Sequence, residues 1–294
     1  MKAQALLITG ATGATGGYAV DALAKLGVPV RAMVRTDDDR AAALRGAGVD
    51  VVLGDLLDPG SVRSAVDGAR AAYFVCPLVP GLIDATAYFA QAARDAGLSA
   101  IVNMSQISAR RDSQSHQARD HWFSERVFDW CGIPVTHLRP TFFAQWLTYP
   151  RVRLDIARKG LISLPFGNGR HAPIAAEDQG RVIAAILADP ARHVGKTYQL
   201  FGPVEMDEHG VAKAVSDALG RAVTYQPIEI AEFQRQLGAF GLPAQTVQHL
   251  CAVAMDFQAG LFAGSNDVVE LLTGTPPMTV QSFVTAHKAE FDLS

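Results

Sequence analysis

Ala5-Leu6-Leu7-Ile8-Thr9-Gly10-Ala11-Thr12-Gly13-Ala14-Thr15-Gly16-Gly17 is the stretch whose reading decides the fold of this chain. Residues 5–9 are an apolar, β-rich run of strand length. From Tyr18 to Leu26 the pattern turns helical, with Ala19, Ala22, Leu23 and Leu26 on one face at i, i+3, i+4, i+7. Strand, glycine turn and helix, in that order, give a glycine motif its meaning. Gly10 turns the chain sharply out of the strand. The missing Cβ of Gly13 lets a pyrophosphate approach the backbone, and Gly16 and Gly17 let the helix pack closely on the sheet. Free amides at the helix start then hold the negative charge. The expected cradle is therefore Gly10, Thr12, Gly13, Ala14, Thr15 and Gly16. A glycine-rich turn with no ligand is the alternative.

Downstream, strand and helix patterns alternate to about residue 140. Strands are expected near Ala5–Thr9, Val30–Val34, Asp50–Gly54, Ala71–Cys76, Ala100–Met104 and Val135–Leu138. Helices are expected near Gly13–Lys25, Asp38–Gly46, Pro59–Val66, Leu82–Ala96 and Asp120–Cys131. Such alternation implies an α/β fold, a Rossmann-type doubly wound parallel sheet with helices on both faces. Strand order should reverse near the first strand, with ligands beyond the strand C-termini there. After Pro140 the pattern loosens into Ala176–Ala188, Lys196–Phe201, Glu208–Leu219, Ala222–Ile228, Ile230–Leu237 and a last helix Val280–Phe291. The expected division is a dinucleotide-binding domain over 1–150 and a smaller C-terminal α/β lobe over 151–294, interleaved with the sheet.

Bulk properties narrow the function classes. The chain has 294 residues, 49% of them hydrophobic and 19% charged, so a large core is available. Net charge is −3, and no run of five basic residues occurs, which disfavours nucleic acid as a direct partner. No signal peptide is expected and no apolar run of about 18 residues occurs, so a cytoplasmic protein with no membrane span is expected. Cys76, Cys131 and Cys251 are scattered and odd in number, as free thiols in a reducing compartment would be. The histidines show no ligand spacing, so no metal is expected.

The second strand ends at Arg35, where an NAD-selective fold places an acid for the ribose hydroxyls. Arginine there suits a 2′-phosphate, with Arg40 near enough to help, and the cofactor expected is NADP(H). Arg35 also reads as an ordinary surface cation. Asp37, Asp38 and Asp39 read as the polar start of the next helix, and they also have the charge to neutralise Arg35 or Arg40.

The glycines are spaced Gly-x-x-Gly-x-x-Gly, unlike the usual fingerprint with two glycines one residue apart. The run Thr9–Gly17 resembles the atypical and extended short-chain dehydrogenases. Among them it is most similar to the NmrA-like family, which includes NADPH-dependent quinone, azo-dye and triphenylmethane reductases and redox-sensing regulators. Three later segments resemble the same family: Pro173-Ile174-Ala175-Ala176-Glu177-Asp178, Gly195-Lys196-Thr197-Tyr198-Gln199-Leu200-Phe201-Gly202-Pro203, and Gly274-Thr275-Pro276-Pro277 before the last helix. By that resemblance Asp55 caps the adenine edge and Leu56 covers its ring, although Asp55 reads equally as a helix cap. Cys76, Pro77 and Leu78 end the fourth strand over ribose and nicotinamide. Pro140, Thr141 and Phe143 pass the carboxamide. Gln106, Phe142, Trp146, Phe166 and Phe257 line an acceptor cavity, unless these aromatics are only core.

Reaction chemistry departs from the wider dehydrogenase pattern. Those enzymes pair a serine, here Ser105, with Tyr-x-x-x-Lys on the next helix. Aligning Glu125 with the family's acidic residue puts Gln117 in place of the tyrosine and His121 in place of the lysine. Gln117 is no acid. His121, with an unperturbed pKa of about 6.5, is either the proton donor or a positioning residue. Without the phenol, ordinary alcohol chemistry is disfavoured. Two functions follow from the resemblance: hydride transfer without flavin to a quinone, azo or similar conjugated aromatic acceptor, or a non-catalytic NADP(H) sensor. The expected partner is the small acceptor, or a regulatory protein on the sensor reading; a homodimer is also expected as an option.

Overall fold

The computed structural model describes residues 4–292. Ten of its elements alternate in chain order: β1 (Leu6–Thr9), α1 (Ala14–Lys25), β2 (Val30–Val34), α2 (Asp39–Gly46), β3 (Asp50–Leu53), α3 (Pro59–Val66), β4 (Ala71–Phe74), α4 (Leu82–Ala96), β5 (Ile101–Met104) and α5 (His116–Trp130). After these comes β6 (Val135–Pro140). The sheet runs β3-β2-β1-β4-β5-β6 and ends in a seventh strand, Thr197–Leu200. Its pairs are parallel, with Leu6 beside Val30 on one side and Ala71 on the other. The order reverses between β1 and β4, as a doubly wound sheet requires.

Expectations on element boundaries are corrected: β4 stops at Phe74, so Cys76, Pro77 and Leu78 lie in the loop after it and not at the strand's end, and β6 runs on from Leu138 to Pro140. α5 starts at His116, not Asp120, because the Ser113 hydroxyl accepts the Ser115 amide and sets up an earlier helical turn. The last helix stops at Ala286, where His287 caps it, and Lys288–Phe291 is a separate 3₁₀ turn.

Two compact units form. One runs through Asp112, then Gln117–Arg139 and Gln179–Tyr198; the other holds Ser113–His116, Pro140–Asp178 and the chain from Gln199 onward. The first unit is built around Phe74, Phe89 and Phe128, from β4, α4 and α5, with ring centroids 5.0, 5.1 and 6.4 Å apart. All three are fully buried, and each contributes about 2 kcal/mol by leaving water. The second unit pairs Leu161–Leu164 in parallel with Thr224–Pro227, and Arg170–His171 antiparallel with Met206–Asp207. Helices Pro150–Lys159, Ile230–Ala239, Ala244–Gln258 and Val268–Thr273 complete it alongside Glu208–Leu219 and Val280–Ala286.

Candidate cofactor and reaction site

The turn after β1 is built by glycine geometry. Gly10 has φ +59°, and a Cβ there would lie 2.7 Å from Val75 Cγ1. A Cβ on Gly16 would sit 2.3 Å from the Gly10 carbonyl oxygen, and one on Gly13 3.2 Å from it. The Gly13 amide closes the turn onto that same oxygen at 2.9 Å. Thr9 sews β1 to the end of β4: its hydroxyl accepts the Val75 amide at 2.8 Å and donates to the Val75 carbonyl at 3.0 Å. Thr15 meets the Tyr73 hydroxyl at 2.9 Å, fixing the start of α1 against β4. Tyr73 is fully buried, and burial pushes its phenol pKa up.

The first three helices in chain order differ at their N-termini. Asp38 caps α2 by accepting the Arg40 and Ala41 amides, and Asp58 caps α3 by accepting those of Gly60 and Ser61. Gly13 caps α1 and has no side chain to offer. The first-turn amides of α1 are thus left for an external anion, and the helix dipole favours one.

The register puts Thr9 opposite Met33, so Arg35 lies just past the mouth of the β1 turn. Arg35 is exposed and makes no hydrogen bond or ion pair among the described residues. The nearby acids are engaged elsewhere. Asp38 takes Arg40 at 2.6 Å, and Asp37 takes Arg45 at 2.7 Å. Arg40 is therefore held by its own cap residue, while Arg35 keeps a free guanidinium. Asp55 accepts the Leu57 amide at 2.9 Å, so the cap of α3 falls to Asp58 instead. Leu56 and Cys76 pack against the first unit's core, while Pro77 and Leu78 are exposed. Burial, with the Asp55 carboxylate behind it, pushes the Cys76 thiol up to about 11, which leaves it protonated near neutrality.

Beyond β5 the polar residues gather on the buried face of α5. Gln117, His121, Ser124 and Glu125 are all buried there, at i, i+4, i+7 and i+8. Ser124 bonds Thr86 of α4 at 2.8 Å. The Ser105 hydroxyl, at the end of β5, is buried with no well-formed hydrogen bond, yet it is close enough to Glu125 to help hold that carboxylate's charge. Gln106 accepts the Ser108 hydroxyl at 2.7 Å.

Sequence reasoning missed Arg139, the residue that anchors this face. Its guanidinium grips fully buried Glu125 at 2.8 and 2.5 Å, a bidentate pair. Position was the available signal: Arg139 and His137 alternate on β6 and so share one face. His137 Nε2 lies 3.0 Å from Asp129, and its Nδ1 3.0 Å from Asn103 Nδ2. For Glu125, burial alone would raise the carboxyl pKa, but Arg139 outweighs it and holds the value below the ordinary range. A depressed folded pKa stabilises above the unfolded value and is lost as pH falls through the folded one. Glu125→Gln should therefore cost about 2 kcal/mol at neutral pH and flatten the acid limb of the melting curve against pH. Thermal melts of both proteins from neutral to acid check this; parallel curves would contradict it.

In the second unit Phe142 meets Phe166, Phe257, Phe262 and Trp146 at centroid distances of 5.2, 6.2, 6.0 and 6.2 Å. Phe166 and Phe257 stack at 4.2 Å and are almost wholly buried, whereas Phe142 is only half-buried. Pro140 and Thr141 are buried, and Phe143 bridges to Ile174. The Thr141 hydroxyl and the Trp146 indole nitrogen are buried without partners among the described residues. Behind the rings His171 and Glu208 are fully buried 3.1 Å apart, though too poorly aligned for a good hydrogen bond. No group of three His, Cys, Asp or Glu arranged to hold a metal occurs among the described residues. No helix there is long and apolar enough to cross a membrane.

Known proteins match this architecture over nearly its whole length. An NAD(P)H azoreductase from Xenophilus azovorans is 32% identical over 97% of this chain and 99% of its own. The crystal structure of NADPH-dependent quinone oxidoreductase from Escherichia coli, complexed with NADPH, superposes with a TM-score of 0.85 at 26% identity, covering 96% of this chain and 99% of that one. Triphenylmethane reductase from Citrobacter sp., complexed with NADP(H), superposes at 0.84 and 25% identity with the same coverage. The family model described as the NmrA-like family matches residues 2–272. With its glycine turn, reversed sheet order and tyrosine-free α5, the chain belongs to the NmrA-like family.

Proposed function

We propose that this protein is an NADP(H)-dependent reductase that passes hydride, without flavin, to a conjugated aromatic acceptor such as a quinone or azo compound. The observation that carries the reading is the uncapped, Cβ-free start of α1 beside an unpaired Arg35. A dinucleotide fits there: a Cβ at Gly13 or Gly16 would crowd the turn, and the open amides suit a pyrophosphate. Arg35 binds the 2′-phosphate; Asp55 and Leu56 hold the adenine. When bound, NADPH supplies the hydride.

The chain's own residues do the rest. Ser105, Gln106 and Gln117 offer polar contacts to the acceptor beside His121. His121 gives up the proton that accompanies hydride to the acceptor. Glu125 is locked by Arg139 and takes no part in proton transfer. Acceptors that accumulate little negative charge at the transition state suit a site lacking the tyrosine acid.

Arg35→Asp tests the cofactor reading. NADPH affinity should fall roughly tenfold to a hundredfold in a fluorescence titration, with NADH binding nearly unchanged. Equal affinity of the unmodified protein for the two cofactors would sink the assignment.

A further inference from the structure

A groove in the second unit plays no part in the reaction described above. Helix Pro150–Lys159, strand Leu161–Leu164 and helix Ile230–Ala239 flank an open groove of about 490 Å³, with Arg151, Lys159, Ser163, Gln236 and Phe240 among the lining residues. That volume falls within the range of small-molecule pockets.

Arg151 is the unusual group. It is half-buried, and its guanidinium lies 5.5 Å above the Phe233 ring. One nitrogen donates to Gln236 Oε1 at 3.0 Å, and another to the Ser163 carbonyl at 3.3 Å. Both acceptors are neutral. The acid in the same groove, Asp155, is ion-paired with Lys159 at 2.8 Å and acts on Arg151 only through its charge, with no ion pair between the two. Burial lowers its pKa, which means the environment works against its charge. A guanidinium has five N–H donors, and two are used here. A partly buried cation whose hydrogen-bond acceptors are neutral, with one carboxylate near but unpaired to it, gains from an incoming anion. Lys159 and Arg151 against Asp155 leave the lining one charge positive. The remaining wall is apolar: Leu161, Ala239 and Phe240, whose side chain is 54% exposed at the rim.

We propose that this groove binds a small aryl carboxylate, with the carboxylate on Arg151 and the ring against Phe240. Nothing in the proposal depends on the reductase reading.

Calorimetric titration of the full chain with benzoate tests it, beside benzamide as the neutral isostere and inorganic phosphate as the bare anion. Benzoate should bind saturably and about tenfold tighter than either. Arg151→Gln should weaken benzoate about tenfold, and Phe240→Ala should weaken benzoate without changing phosphate. Saturating NADPH should leave benzoate binding unchanged. Absence of saturable benzoate binding, equal affinity for benzamide, full affinity in Arg151→Gln, or displacement by NADPH would each overturn the proposal. Should Arg151→Gln melt early, the benzamide comparison and the exposed Phe240→Ala variant decide alone.

Discussion

Gly13→Asp should all but abolish NADPH binding while leaving the protein as stable as before. The substitution gives α1 what α2 and α3 already have, an aspartate whose carboxylate accepts the first-turn amides. Gly13 already has the extended conformation of a capping residue, φ −92° and ψ 176°. An aspartate cap is worth a few tenths of a kcal/mol over glycine. The new Cβ, 3.2 Å from the Gly10 carbonyl oxygen, costs a comparable amount, so the melting temperature should hardly move. Cofactor binding should respond very differently. The carboxylate would occupy the amides that a pyrophosphate needs and would repel it, so a loss of more than about a hundredfold is expected. Titration of the variant with NADPH, together with a thermal melt, checks both halves. Retained affinity would show that the cofactor lies elsewhere; a collapsed melt would show that the turn, not the ligand, needs the glycine.

His121→Ala should lower kcat with a quinone acceptor by roughly a hundredfold or more, with little change in KM for NADPH. General-acid catalysis contributes on the order of 10²–10⁴ in rate. His121 is buried on α5, one turn from Gln117, which cannot donate a proton as an acid. Glu125 lies on the same face but is held ionised by Arg139. Histidine is thus the group on that face suited to give up a proton near neutrality. Added imidazole should restore part of the rate if the ring delivers a proton, and should not if the ring only positions the ribose. Unchanged kcat, or a loss confined to KM for NADPH, would take His121 out of the proton-transfer role.

How far the structure could be read from the sequence depended on how local each signal was. β2, α3 and α4 run over the residues that patterning assigned, because each has its own punctuation: Pro59 opens α3, and Gly97 in the left-handed region closes α4. Thr197–Leu200 was legible as a strand, but nothing local tells it to join the sheet beyond β6. Pro150–Lys159 was missed altogether, although Val152 and Ile156 lie one turn apart on its buried side. Ala244–Gln258 was missed for the opposite reason, since apolar residues surround the whole helix and blur its stripe. At the site, the glycine spacing foretold the turn because backbone sterics act over a few residues. The Glu125–Arg139 pair joins a helix to a strand fourteen positions later, and only packing reveals it.

The most direct test of the account is NADPH oxidation by the purified protein, without added flavin, against a panel of quinones, azo dyes and simple aldehydes. The account predicts turnover of quinones or azo compounds, with aldehydes far slower, because the buried face of α5 offers histidine and glutamine where a carbonyl reductase needs a tyrosine. Tight NADPH binding with no turnover of any acceptor would contradict it in favour of a sensor. Aldehydes reduced as fast as quinones would contradict the acceptor class.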